Sequence, residues 1–401
     1  METVIGQQVA KVRKFRGWTQ RELADFAGVS HSLLTKVESG HVPASQAFVA
    51  ACARALRVRV EELTGQPYRG DTAAGDRADA GVAGLRAVLW EHDPVDPDGA
   101  GRPLAELRPV LAGVERLRRA ARYVEMVEAL PGLIRELLAA TTTTSGFARE
   151  QVFGALAGAY SAAQTATRFL GYADVAALCV ERMFWAAHRS GDPLWRAVAT
   201  EKRGHLQLLA GAYDAGLRAT AAALEELAGE DRPAALAVAG TLHLRAGILA
   251  ARAARADRAR AELGAAAEYA DRLPSGEPED WYGLAFGTPN VLIHQVAAEV
   301  ELGEGARAVA LAARLGDPTG RIEASRVGHH YIDLARGQML HGDRNAALEA
   351  LQAARRAAPQ KTRHDPMVRE TLDVLVRARR VPEELREFAT WVGYPPLGSP
   401  R

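Results

Sequence analysis

From one end of the chain to the other, apolar positions recur with a helical period, and from Pro103 onward no stretch reads as a strand. Residues 5–16 form a first helix with Val9 and Val12 among its inward positions. Thr19, with Gln20 next and Glu22 three residues on, makes a capping box in which the Thr hydroxyl and the Glu carboxylate satisfy free amides at a helix start. That helix runs through Leu23, Ala24 and Phe26 and stops at Gly28, a residue suited to the left-handed end of a helix. Only Val29 separates the stop from Ser30, the cap of a second short helix. Two short helices joined by a tight glycine turn predict a helix-turn-helix. With His31 set at zero and about 100° per residue, Thr35, Ser32 and Lys36 fall at roughly 40°, 100° and 140°. Leu33, Val37 and Leu34 fall on the opposite side, at roughly 200°, 240° and 300°. One face is apolar; the other offers short polar groups and a cation. A turn at HVPAS, a helix from Ser45 through Leu56 and a last short helix near Val60 to Leu63, ending at Gly65, complete a small domain over residues 1–66.

Residues 67–80, poor in apolar groups and carrying several Gly and Asp, are predicted as a linker, and HDPVDPDGAGRP (92–103) as an exposed loop. A helical-repeat domain is assigned to 81–396. Long helices there are broken by GDP (191–193), LPSGEPED (273–280) and GDR (342–344). The clearest repeat is Tyr331 to Pro359, which resembles a tetratricopeptide repeat at Tyr331, Leu334, Ala335, Gly342, Ala347, Leu351, Ala354 and Pro359. The three alanines are small where paired helices press together. Gly204, Gly211, Tyr213 and Ala223 match a weaker copy, and 291–315, with its turn at Gly303, another. Turns near 171, 211, 254, 303 and 342 give a period longer than the usual figure of about 34, so degenerate helical hairpins are expected rather than exact repeats. The predicted fold class is all-α, with a five-helix domain containing the helix-turn-helix followed by a superhelical array.

Composition sharpens this picture in two places. Net charge is only +1 over 401 residues, but residues 1–70 hold ten Lys/Arg against six Asp/Glu, leaving 40 against 43 for the remainder. A positive field confined to the small domain suits phosphate contact while the larger part stays neutral. Only Cys52 and Cys179 occur, both in apolar surroundings, which predicts buried free thiols and no metal site. The N-terminus has no apolar signal core and no run of 18 apolar residues is found, so the cytoplasm is the expected location and no membrane partner is expected. No P-loop, Rossmann glycine pattern, HExxH, CxxC or nucleophile elbow is present; no enzyme activity, catalytic residue or cofactor is expected.

In motif order and spacing, residues 5–65 resemble the phage-repressor (XRE or Cro-like) DNA-binding domain. The resemblance rests on Arg13, Gly17, Thr19-Gln20, Glu22-Leu23-Ala24, Gly28-Val29-Ser30, Val37-Glu38, Ser39-Gly40 and Pro43. It implies that Gln20 meets a phosphate and that His31, Ser32 and Lys36 face bases with Thr35 beside them and Ser30 at the helix start. It also implies that Arg13 pairs with Glu38 to tie the first helix to the recognition helix. In the repeat register, Asn290 and His329 fall at corresponding positions of two inner helices, and Glu201 and His205 on the matching face of an earlier one. Stacked hairpins expose a concave face. An Asn there can hydrogen-bond a peptide backbone, with Trp281 or Tyr282 as an apolar wall. The two-part architecture resembles the peptide-pheromone receptor regulators of Gram-positive bacteria and similarly built regulators of high-GC bacteria. It implies a homodimer on double-stranded DNA with an inverted-repeat operator, answering to a peptide or small-molecule effector. Alternatives are an array that recruits a partner protein to promoters, or a ligand-independent dimeric repressor.

Overall fold

The computed structural model describes residues 5–68, 73–91, 102–274, 281–377 and 381–394, and among them the chain is all-α, with no strand. Its first five helices are α1 (Ile5–Phe15), α2 (Gln20–Ala27), α3 (His31–Glu38), α4 (Gln46–Leu56) and α5 (Val60–Thr64). Local chemistry sets their ends. Thr19 Oγ1 accepts from the Glu22 amide at 3.2 Å while Glu22 accepts from the Thr19 amide at 2.7 Å, and Gly28 takes the left-handed conformation at φ 66°. Ser30 and Ser45 each accept an amide of the helix they start. Val9, Leu23, Leu34, Val37, Phe48, Leu56 and Leu63 fill the core of this bundle.

Beyond it come α6 (Ala73–Trp90), α7 (Leu104–Arg119) and α8 (Tyr123–Thr143), followed by paired helices. The pairs are α9 (Gly146–Leu170) with α10 (Ala173–Ala187), α11 (Pro193–Ala210) with α12 (Tyr213–Glu226), and α13 (Pro233–Arg252) with α14 (Ala256–Asp271). Two further pairs are α15 (Thr288–Glu301) with α16 (Gly305–Leu315) and α17 (Ala324–His341) with α18 (Arg344–Ala357). Then α19 (Pro359–His364), α20 (Pro366–Leu375) and α21 (Glu383–Val392) close the chain. The turns within the five pairs reverse direction at Gly171, Gly211, Ala254, Gly303 and Gly342, each with positive φ. Ala335, Ala347 and Ala354 are fully buried where α17 and α18 meet.

One sequence expectation changes here. Helix α6 begins at Ala73, so most of the linker assigned to 67–80 is helical; its alanines favour helix more than its glycines oppose it. The loop assigned to 92–103 lies almost wholly outside the described residues, as do 275–280.

The array also closes on itself instead of presenting an open concave face. Helix α19 packs on α9, and α17 touches α7. Gln360 on α19 accepts from the Val124 amide at 3.1 Å and donates to Glu125 at 3.0 Å, both on α8. Arg118 on α7 donates to Glu323, just before α17, at 3.1 Å. The inner helices α9, α11, α13, α15 and α17 therefore surround a buried interior. By length and composition alone, α13 could cross a bilayer; it is instead the most enclosed of these helices, and it carries the buried Arg245.

Candidate functional site

The outward face of α3 is set by its inward one. Leu34 and Val37 are buried in the bundle, which leaves His31, Ser32 and Lys36 exposed on the far side and Thr35 half-buried at the margin. Arg13 and Glu38 form a two-pronged pair, Nε to Oε1 and Nη2 to Oε2, both at 2.7 Å and largely shielded from solvent. Arg13 also donates to the Trp18 carbonyl at 2.7 Å, so one guanidinium joins α1, the α1–α2 turn and α3. Gln20 is engaged in the same cluster: its Nε2 donates to Glu38 at 2.9 Å, and the Thr35 hydroxyl lies 3.3 Å from its Oε1. In the free protein, then, the Gln20 amide is not turned out toward a phosphate, because the buried Glu38 carboxylate offers the stronger acceptor. The Ser30 oxygen is spent on capping α3, leaving only its O–H to face outward.

Other residues grouped as candidates meet in the interior. Glu201, on α11, accepts from Arg245 Nη2, on α13, at 2.5 Å, and the same nitrogen lies 2.6 Å from His205 Nε2. Burial would raise the Glu201 carboxyl, but Arg245 and Lys202 outweigh it and hold it below the usual carboxylate range. Burial, with Arg245 and Arg168 nearby, lowers His205 far enough that the ring is neutral and its Nε2 accepts. Gly204 makes this possible: a Cβ there would collide with the stem of Arg245 as it crosses α11. His294 and His329, on α15 and α17, are likewise lowered, chiefly by burial and then by Arg326 and Lys361. Asn290, at the start of α15, is buried with both amide atoms unpartnered.

Trp281 and Tyr282 do not join them. They form a short 3₁₀ turn in which Tyr282 has φ 57°, packs edge-on against Trp195 at 4.7 Å and donates to Asp192 at 2.6 Å. Tyr282 instead lines, with Trp195 and Asp192, a separate cavity of about 490 Å³ between α7, α9 and α11. Gly287 precedes α15, and Thr288 and Pro289 are its first two residues. The sequence reading missed Arg245, although it lies on the next inner helix, 44 residues beyond Glu201, a spacing within the repeat period. No set of three or more His, Cys, Asp or Glu is placed to hold a metal among the described residues. Burial pushes the Cys52 thiol up to about 12 and raises Cys179 as well, so neither is a nucleophile.

The small bundle is docked on the array at the C-terminal ends of the inner helices. Arg54 donates to the Gly211 carbonyl at 3.0 Å, Gln66 to the His364 carbonyl at 3.0 Å, and Arg377 to the Ser39 carbonyl at 2.6 Å. Arg252 reaches Gln46, and the Ala44 amide donates to the buried Glu370 carboxyl at 2.6 Å. One apolar core runs from Leu34 and Phe48 to Leu351, Leu372 and Phe388. Burial, opposed by the Ala44 hydrogen bond and assisted by Asp373, raises Glu370 from 4.5 to about 7. Because the folded value lies above the unfolded one, this contribution is full below about pH 4.5 and is lost as pH rises through 7. Wild type should therefore lose more melting temperature than Glu370→Gln between pH 6 and 8; parallel melting curves would contradict the assignment.

A short helix with an apolar back and an exposed polar front, locked by a buried ion pair, and a closed helical array behind it define a helix-turn-helix DNA-binding regulator. Residues 4–64 match the family described as "Helix-turn-helix domain". The competence pilus inhibition repressor of Acinetobacter baylyi is 30% identical over 92 residues, covering 23% of this chain and 74% of the repressor. The chain belongs to this helix-turn-helix regulator family, with a helical C-terminal domain. Two solved structures are similar more loosely. BtubC (BKLC) from P. vanneervenii is 17% identical, covering 63% of this chain and 91% of its own, with a TM-score of 0.33. PlcR of Bacillus thuringiensis, in complex with the peptide PapR7 and DNA, is 14% identical, covering 67% and 94%, with a TM-score of 0.27.

Proposed function

We propose that the protein is a sequence-specific transcriptional regulator that binds an inverted-repeat operator as a homodimer and takes a peptide or small-molecule signal in its helical array. His31, Ser32 and Lys36 read or contact the major groove, with Thr35 supporting them. Gln20 reaches a phosphate only by exchanging its bond to Glu38. The observation that carries the regulatory part is the docking: the domain bearing α3 is hydrogen-bonded to the C-terminal ends of α11, α13 and α19 and to Glu370 on α20, and it shares an apolar core with α17, α18, α20 and α21. A ligand that favours one array geometry would shift the placement of α3, and in a dimer the spacing of two such helices.

The test is a double variant, Arg54→Ala with Arg377→Ala, in the full chain. Operator DNA is first selected from random sequence with the wild-type protein. Loosening the docking should change affinity for that DNA about fivefold or more, the lower end of ordinary coupling between sites. A folded variant with wild-type affinity would contradict coupling between array and DNA-binding domain.

A further inference from the structure

The rim of the array away from the docked DNA-binding domain holds a cavity of about 530 Å³ lined by Arg116, Arg119, Arg321, Arg326 and Asn290. That size suits one small organic molecule. The helix starts of α15 and α17 open onto it through Pro289, Asn290 and Ala324. Neither start has a side-chain cap, so amides of both first turns lack that partner. Among the described lining residues are four guanidinium groups and one carboxylate, Glu323, which is bonded to Arg118 at 3.1 Å, while Arg321 donates to the Leu315 carbonyl at 3.2 Å. The Arg326 Nε is buried without a hydrogen-bond partner, 3.6 Å from the Glu323 oxygen.

Asn290 is the independent sign that something belongs here. It is 3% exposed, it lines the cavity, and neither its Oδ1 nor its Nδ2 has a partner. A buried amide left in this state is costly, and no packing reason is visible for Asn over an apolar residue. Cations, helix N-termini and a spare amide donor together make an anion site, and the spare Oδ1 adds an acceptor for a hydroxyl or amine next to the anion.

We propose that this cavity binds a small organic acid, carried on a carboxylate or a phosphate, through Arg321, Arg326, Asn290 and the starts of α15 and α17. That the acid acts as the regulatory signal rests on the function proposed above; its binding does not.

Calorimetry on the full chain without DNA tests the site, with citrate and inorganic phosphate as probes and sodium chloride as the control. Saturable heat with citrate alone identifies a carboxylate site, with phosphate alone a phosphate site, and either supports the proposal. Arg321→Gln combined with Arg326→Gln should weaken the binding at least tenfold. Asn290→Ala should do the same while melting no lower than wild type in probe-free buffer, which a purely structural Asn would not allow. Absence of saturable heat with both probes at millimolar concentration, or binding unchanged in both variants, overturns the site. A band-shift with and without the bound probe then separates the two readings. Binding of the acid with unmoved operator affinity leaves the site standing and removes its regulatory role; intact operator binding with no acid bound does the reverse.

Discussion

Arg13→Ala should unfold or detach the DNA-binding bundle and abolish operator binding, although the residue touches no base. The substitution leaves Glu38 buried and ionised against Gln20 alone, and breaking one half of a buried pair costs about 3–5 kcal/mol. It also removes the bond to the Trp18 carbonyl that fixes the turn into α2. Because one core runs from the bundle into α18, α20 and α21, the loss should appear as an earlier melting transition of the full chain as well as in DNA binding. Replacing both partners, Arg13→Met with Glu38→Leu, should recover most of the melting temperature, since no charge is then stranded. A single variant that melts with wild type would remove the pair from the account.

Ser32→Ala combined with Lys36→Ala should act in the opposite manner, sparing the fold and removing affinity. Both side chains are exposed on α3, and neither hydrogen-bonds to the bundle core, so the melting temperature should stay within about a degree or two of wild type. A good base contact contributes about 1–3 kcal/mol and Lys36 adds a phosphate or base-edge charge, so operator affinity should fall tenfold or more. The salt dependence should flatten if Lys36 meets a phosphate. A band-shift on the selected operator reads this directly; unchanged affinity in the folded double variant would move the reading face off α3.

The small domain was legible because its information is local. Thr19 and Glu22 are three residues apart, Gly28 and Ser30 two, and each pair fixes a helix end through its own side chains or backbone. The array's turns were legible for the same reason, at residues that leave a helix in the left-handed conformation. Closure and docking were not, because they depend on partners far apart in sequence. Glu370 meets Ala44 across 326 positions, and Gln360 meets Val124 across 236, with no periodicity to announce either. A concave face expected to be open therefore became a buried interior. Glu201, His205, Asn290 and His329 keep their inner position, while their charged complement, Arg245, Arg326 and Lys361, was not legible because long basic side chains on a helix are ordinarily solvated. Trp281 and Tyr282 lie apart from this interior cluster, since aromatic area beside a helix start seals a packing gap as readily as it walls a ligand.

In the function proposed above, α3, carried on this array, reads a specific DNA sequence as part of a dimer. Capture of genomic DNA by the full-length protein, followed by footprinting of the strongest site, tests it most directly. One enriched motif is expected, an inverted repeat whose half-site centres lie about one helical turn, or a small multiple of it, apart. Uniform recovery of DNA with no motif and no footprint would contradict it.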